Sequence, residues 1–147
     1  PVLVRLDDIY PGWGGLDAAS ERVGTDLLGP RAAGLPARWR RYDWGSGRAA
    51  EWHEVPGDRP LVIEGCGALS RSNALNAHVR VWLEADGGVR KRRALTRDAG
   101  AFDAHWDMWT DQMEVFVRRE DPIALADVVL RNDDLEAGRW IESLTAA

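Results

Sequence analysis

Apolar and polar positions alternate along this chain in two different periods. Four short runs, residues 2–6, 61–63, 79–83 and 126–130, are largely apolar and end in polar or glycine-containing turns. That is the pattern of short strands buried in a parallel sheet. Between them, residues 16–28 and 89–96 carry helical spacing, and Asp86 precedes the second as a candidate N-cap. Trp106, Trp109, Met113 and Phe116 recur at three- and four-residue intervals and so share one helix face, whose ordinary use is core packing. Strands separated by helices at this spacing predict an open α/β sheet, in which ligands bind beyond the carboxyl ends of the strands. Residues 30–36, rich in Gly, Ala and Pro, read as a local break.

Composition narrows the function classes. A chain of 147 residues predicts one domain, and 45% hydrophobic with 29% charged residues is ordinary globular usage. The apolar runs are far too short to span a bilayer, and the first residues lack the basic region and cleavage site of a signal peptide. A cytoplasmic protein with no membrane partner is expected. A formal net charge of −5 argues against a general nucleic-acid binder, although basic residues concentrate at Arg90-Lys91-Arg92-Arg93. Cys66 is the single cysteine, and His53, His78 and His105 do not have zinc-site spacing.

The strand ends hold the candidate chemistry. Asp7-Asp8-Ile9-Tyr10 follows the first strand, and a carboxylate at that mouth either accepts a hydroxyl proton or caps a turn. The second strand runs into Glu64-Gly65, where an acidic side chain emerges beside a glycine that lets another group approach, a way to present a carboxylate to hydrated magnesium. Arg90, Arg93 and Arg97 fall at i, i+3 and i+7 and on a helix would project from one face, either as a solvated basic surface or as a row of phosphate-binding forks. Tyr42-Asp43-Trp44 and Arg48 offer aromatic faces and hydrogen-bonding groups for a flat base or sugar, while Trp39, Trp44 and Trp52 could equally form a hydrophobic lid packed for stability.

In order, these segments resemble the uridine kinase and phosphoribulokinase group of P-loop kinases over nearly the whole chain. Asp7-Asp8-Ile9-Tyr10 resembles the family's Asp-x-Phe-Tyr, which implies Asp7 as catalytic base and Tyr10 as a substrate contact. Tyr42-Asp43-Trp44 with Arg48 is similar to the family's nucleoside-site segment, although no histidine stands between Trp44 and Arg48. Residues 61–65 resemble the strand ending in Glu-Gly, which implies Glu64 near magnesium. Residues 90–98 resemble the lid signature Arg-x-x-Arg-Arg-x-x-Arg-Asp, which implies that Arg90, Arg93 and Arg97 grip ATP from a lid at about residues 86–105. Residues 126–130 look like the Ala-Asp and apolar run of the last strand.

The resemblance implies a three-layer P-loop NTPase fold over residues 1–147 with a parallel sheet in the order 2-3-1-4-5. A Gly-x-x-x-x-Gly-Lys-Ser/Thr loop needs a lysine after glycine, and Lys91, the one lysine here, follows Arg90. The central strand and its loop are therefore expected to be missing from these residues and to lie upstream in the intact protein. The expected function is ATP- and Mg2+-dependent transfer of a phosphoryl group to a small hydroxylated acceptor such as a nucleoside. A non-catalytic relative serving as a binding module is the alternative, and a nucleotide hydrolase without an acceptor is a third reading.

Overall fold

The computed structural model describes residues 1–133, so the last part of the expected domain, residues 134–147, lies outside the described residues. Strand β1 (Val2–Arg5) passes through a short 3-10 turn into a helix that starts as α1 (Leu16–Arg22), loosens into a π-type stretch at Val23–Leu28 and tightens again as α2 (Gly29–Ala32). The expected break at residues 30–36 is therefore still helical through Ala32, the last residue of α2. Pro30 follows directly on the π-type stretch, the kind of local irregularity in the hydrogen-bond ladder at which a continuous helix accommodates a residue without an N–H.

A hairpin that the hydrophobic pattern does not announce follows. Strands β2 (Ala37–Asp43) and β3 (Arg48–Val55) pair antiparallel, with a register shift between Arg40 and Tyr42. Its faces are held by side-chain pairs rather than by apolar alternation: Trp39 stacks on His53 with centroids 4.4 Å apart, and the Arg38 guanidinium lies 4.5 Å over Trp52. Polar residues at most hairpin positions hid it from a reading based on period.

The chain then returns to β4 (Leu61–Glu64), which pairs parallel with β1 in the register Val2 to Leu61 through Arg5 to Glu64. After the short helix α3 (Arg71–Ala74), β5 (Val81–Glu84) leads into α4 (Gly87–Arg97), α5 (Trp106–Glu120), α6 (Pro122–Leu125) and β6 (Val128–Arg131). Strands β5 and β6 form a second parallel pair. The last two strands start two residues later than their apolar runs. Arg80 and Asp127, which lie just before them, are used instead as an ionic clip in which the Asp127 carboxylate accepts from the Arg80 backbone at 2.8 Å and from its guanidinium.

The molecule is therefore mixed α/β with small parallel sheets. Among the described residues the strands form three two-stranded sheets, β1-β4, β2-β3 and β5-β6, and not one continuous sheet. The core lies on the β1 side: Val4, Leu6, Ile9, Tyr10, Ala19, Val23, Leu27, Ala37 and Val55 form one buried cluster. Fully burying side chains of the Val, Leu or Ile size contributes about 1.5–3 kcal/mol each. The β5-β6 pair lies outside that cluster, and Leu83 remains 62% exposed. Among the described residues, no helix is long and apolar enough to cross a membrane.

Candidate functional site

The carboxyl ends of β1 and β4 lie side by side because their loops can touch. Gly65 adopts φ 130°, and a Cβ there would stand 2.7 Å from the Leu6 Cβ, so glycine is needed for this approach. Across the contact, the Tyr10 hydroxyl donates to the Cys66 carbonyl at 2.7 Å. The Tyr10 ring meets Trp109 of α5 edge-on at 4.8 Å, which fixes α5 against both strand ends.

Beyond these ends opens a cleft of about 950 Å3 whose far wall is β5 and whose roof is α4 and α5. Asp7, Tyr10, Trp44, Glu64, Arg90 and Arg97 all line it. A smaller hollow of about 200 Å3 lies between Ile9, Arg22, Asp26 and the hairpin, but Asp26 is its only carboxylate. The larger cleft is the candidate site because acids from two strand ends and cations from a helix meet there.

Asp7 and Glu64 reach solvent through the open cleft, yet enough protein surrounds both that desolvation raises each carboxyl above its ordinary range. The Asp7 charge also raises Glu64, the Asp98 and Asp8 charges raise Asp7, and the Arg97 guanidinium pulls both down. A carboxylate raised this way is a better proton acceptor. Tyr10 lines the cleft but is only 2% exposed, burial raises its phenol further, and its hydroxyl is engaged by Cys66.

Helix α4 begins where Asp86 accepts hydrogen bonds from the Gly88 and Val89 amides at 2.9 and 3.2 Å, as its N-cap position predicts. No residue of α4 is buried. Its arginines divide. Arg90 and Arg97 line the cleft, whereas Arg93 donates to the Asn132 carbonyl at 2.7 Å and the Asp133 carbonyl at 3.4 Å, tying α4 to the end of β6. Ala94 stands where the lid signature has a further arginine. Arg97 is held by Asp98 through bonds of 2.6 and 2.9 Å. Lys91 does not line the cleft and lies 5.6 Å over the Trp106 ring.

The hairpin contributes less than its sequence implies. Trp44 reaches the cleft and donates its indole N–H to the Asp7 carbonyl at 2.8 Å. Tyr42 does not line it and instead meets Trp44 edge-on at 5.3 Å, and Arg48 is exposed opposite Asp43 at the hairpin end. The site residue that the motifs passed over is Trp13. Its signal was a large aromatic side chain set between glycines directly after the Asp7 to Tyr10 segment, a position where an indole must find something to cover it.

Among the described residues, no cluster of three His, Cys, Asp or Glu side chains converges as a metal cage. A magnesium ion fits this donor set only in its usual manner, through one or two carboxylates with water and substrate oxygens completing the shell. Glu64 and Asp7, which both line the cleft, would supply those carboxylates. Arg90 and Arg97 suit phosphate oxygens, but no backbone cradle of the glycine-lysine type is present for ATP. No protein-family model matches this chain and no curated protein matches it.

Proposed function

We propose that this chain carries the acceptor side and the lid of an ATP-dependent phosphotransferase that acts on a small hydroxylated substrate such as a nucleoside. One observation supports this above the others: Asp7 and Glu64, from the ends of neighbouring parallel strands, share a cleft with Arg90 and Arg97 of an unburied helix. Asp7, its basicity raised by desolvation, accepts the acceptor's hydroxyl proton. Glu64 would help to hold a magnesium ion. Arg97 exchanges Asp98 for phosphate oxygens, and Arg90 joins it when α4 closes and excludes water. ATP would supply the phosphoryl group, and a bound magnesium ion would offset its charge.

In this reading the two parallel pairs are parts of one sheet in the order 2-3-1-4-5, with a further strand between β4 and β5 bearing the phosphate loop. The exposed apolar side chains of both pairs favour it, because Val62 and Leu83 would then be covered. The test is ADP release by the full-length polypeptide with magnesium, ATP and a panel of nucleosides, sugars and other small alcohols. Release that depends on the acceptor is expected. No turnover with any acceptor, together with no ATP binding, overturns the proposal and favours a binding module; equal release with and without acceptor points to a hydrolase.

A further inference from the structure

The smaller hollow shares no lining residue with the cleft, and its walls come from two elements that pack side by side. One wall is helical: Arg22 is the last residue of α1, and Asp26 lies four positions on, within the π-type stretch. Turns of this kind interrupt helices frequently at functional sites. The other wall is the hairpin, where Arg40 and Trp52 are partners in the cross-strand register and Trp39 and Ala49 complete the lining.

The fold does not use up the charges of this hollow. Arg22 and Asp26 have the i, i+4 spacing at which helix charges usually meet, yet Arg22 is exposed and has no partner among the described residues. Asp26 accepts the Thr25 hydroxyl at 2.9 Å on one oxygen, and its other oxygen has no partner among the described residues. Arg40 donates from Nε to the Ala50 carbonyl at 2.8 Å, which steadies its guanidinium and leaves the two terminal nitrogens available. Its neighbour Arg41 is by contrast paired with Glu51 at 2.6 Å.

Between the charges the surface is apolar. Trp52 keeps 48% of its surface exposed even though the Arg38 guanidinium lies over its ring. The hollow holds about 200 Å3, the liquid volume of about seven waters, and so takes a ligand smaller than a drug-sized one. Two cations and one acid beside a small apolar wall select a zwitterion. A carboxylate matches the guanidinium forks of Arg22 and Arg40, while Asp26 would repel a ligand that is only anionic. An ammonium next to that carboxylate would instead donate to the open Asp26 oxygen. The space against Trp39 and Trp52 suits an apolar side chain.

We propose that this hollow binds a free α-amino acid with an apolar side chain, its carboxylate on Arg22 and Arg40 and its ammonium on Asp26. The site does not depend on the phosphotransferase reading. Ile9, two residues beyond Asp7, also lines it, so a bound amino acid would lie against the loop that carries Asp7. The test is calorimetric binding to the full-length protein without ATP. The probes are L-phenylalanine, 3-phenylpropionate without the ammonium, phenethylamine without the carboxylate, and glycine without the side chain. Phenylalanine should bind about tenfold or more tightly than each of the others, the factor supplied by one hydrogen bond to a charged group or by one buried apolar side chain. Arg22→Gln should cut the preference over phenethylamine by about fivefold or more, and Asp26→Asn the preference over 3-phenylpropionate by as much.

Arg22 is exposed and bonds nothing among the described residues, so its replacement leaves the fold intact. Should Asp26→Asn lose its circular dichroism signal, the Arg22→Gln comparison decides by itself. Arg90→Gln, in the separate cleft, should leave phenylalanine binding unchanged. No binding by phenylalanine, equally tight binding by any other probe, a preference that survives its matched variant, or binding lost in Arg90→Gln overturns the proposal.

Discussion

Gly65→Ala tests whether the contact between two strand ends organises the site. The native backbone there has φ 130°, a region essentially reserved for glycine, and holding alanine in it costs about 1–3 kcal/mol. The added methyl would also stand 2.7 Å from the Leu6 Cβ and 3.2 Å from the Tyr10 hydroxyl, both on buried residues. Overpacking of that kind costs about 1–3 kcal/mol more. Together these predict a loss of about 2–6 kcal/mol, a large share of the ~5–15 kcal/mol that stabilises a typical protein. Urea unfolding followed by circular dichroism measures it: with a slope of about 2 kcal/mol per molar, the midpoint should fall by about 1–3 M. Gly14→Ala is the matched control, because a Cβ at Gly14 meets nothing within 4 Å. That variant should stay within about 0.5 kcal/mol of the parent. A Gly65→Ala midpoint no lower than that of Gly14→Ala would refute the idea that this glycine permits the two loops to meet.

Two further predictions concern the acids of the cleft. Because desolvation raises Asp7 above its ordinary 3.8, the folded state holds that proton more tightly than the unfolded one; its stabilising effect is full below 3.8 and is lost as pH rises through the folded value. Asp7→Asn should therefore melt at a higher temperature than the parent at pH 7, while acceptor-dependent turnover drops about 10²–10⁴-fold; a lower melting point with turnover intact would contradict both halves. Arg97 holds Asp7 and Glu64 down, so Arg97→Ala should move the acid limb of the kcat/KM profile to higher pH as well as weaken ATP engagement. A limb that stays in place, or moves to lower pH, shows that Arg97 does not act on the base.

Local chemistry alone determined much of this protein. Short apolar runs place four strands within a residue or two of where they form, because β-branched and other apolar side chains favour extended backbone over a short stretch. Asp86 caps α4, and the Trp106 to Phe116 stripe shares one helix face, with Phe116 buried and Trp106, Trp109 and Met113 lining the cleft, since capping and helical period depend on a few adjacent residues. Asp7 and Glu64 are legible for the same reason: they directly follow apolar strands.

Tertiary structure decided what depends on residues far apart in the chain. The hairpin is held by cross-strand pairs such as Trp39 with His53, which no period reveals. The arginine row divides because β6 arrives beside α4 and offers carbonyls to Arg93, leaving Arg90 and Arg97 for the cleft. Trp13 becomes a site residue only when Phe102 and His105, about ninety positions away, fold against it. Periodicity and motif order report short-range constraints, whereas the direction in which a long side chain points is set by whichever element packs beside it, and that is known only once the chain has folded.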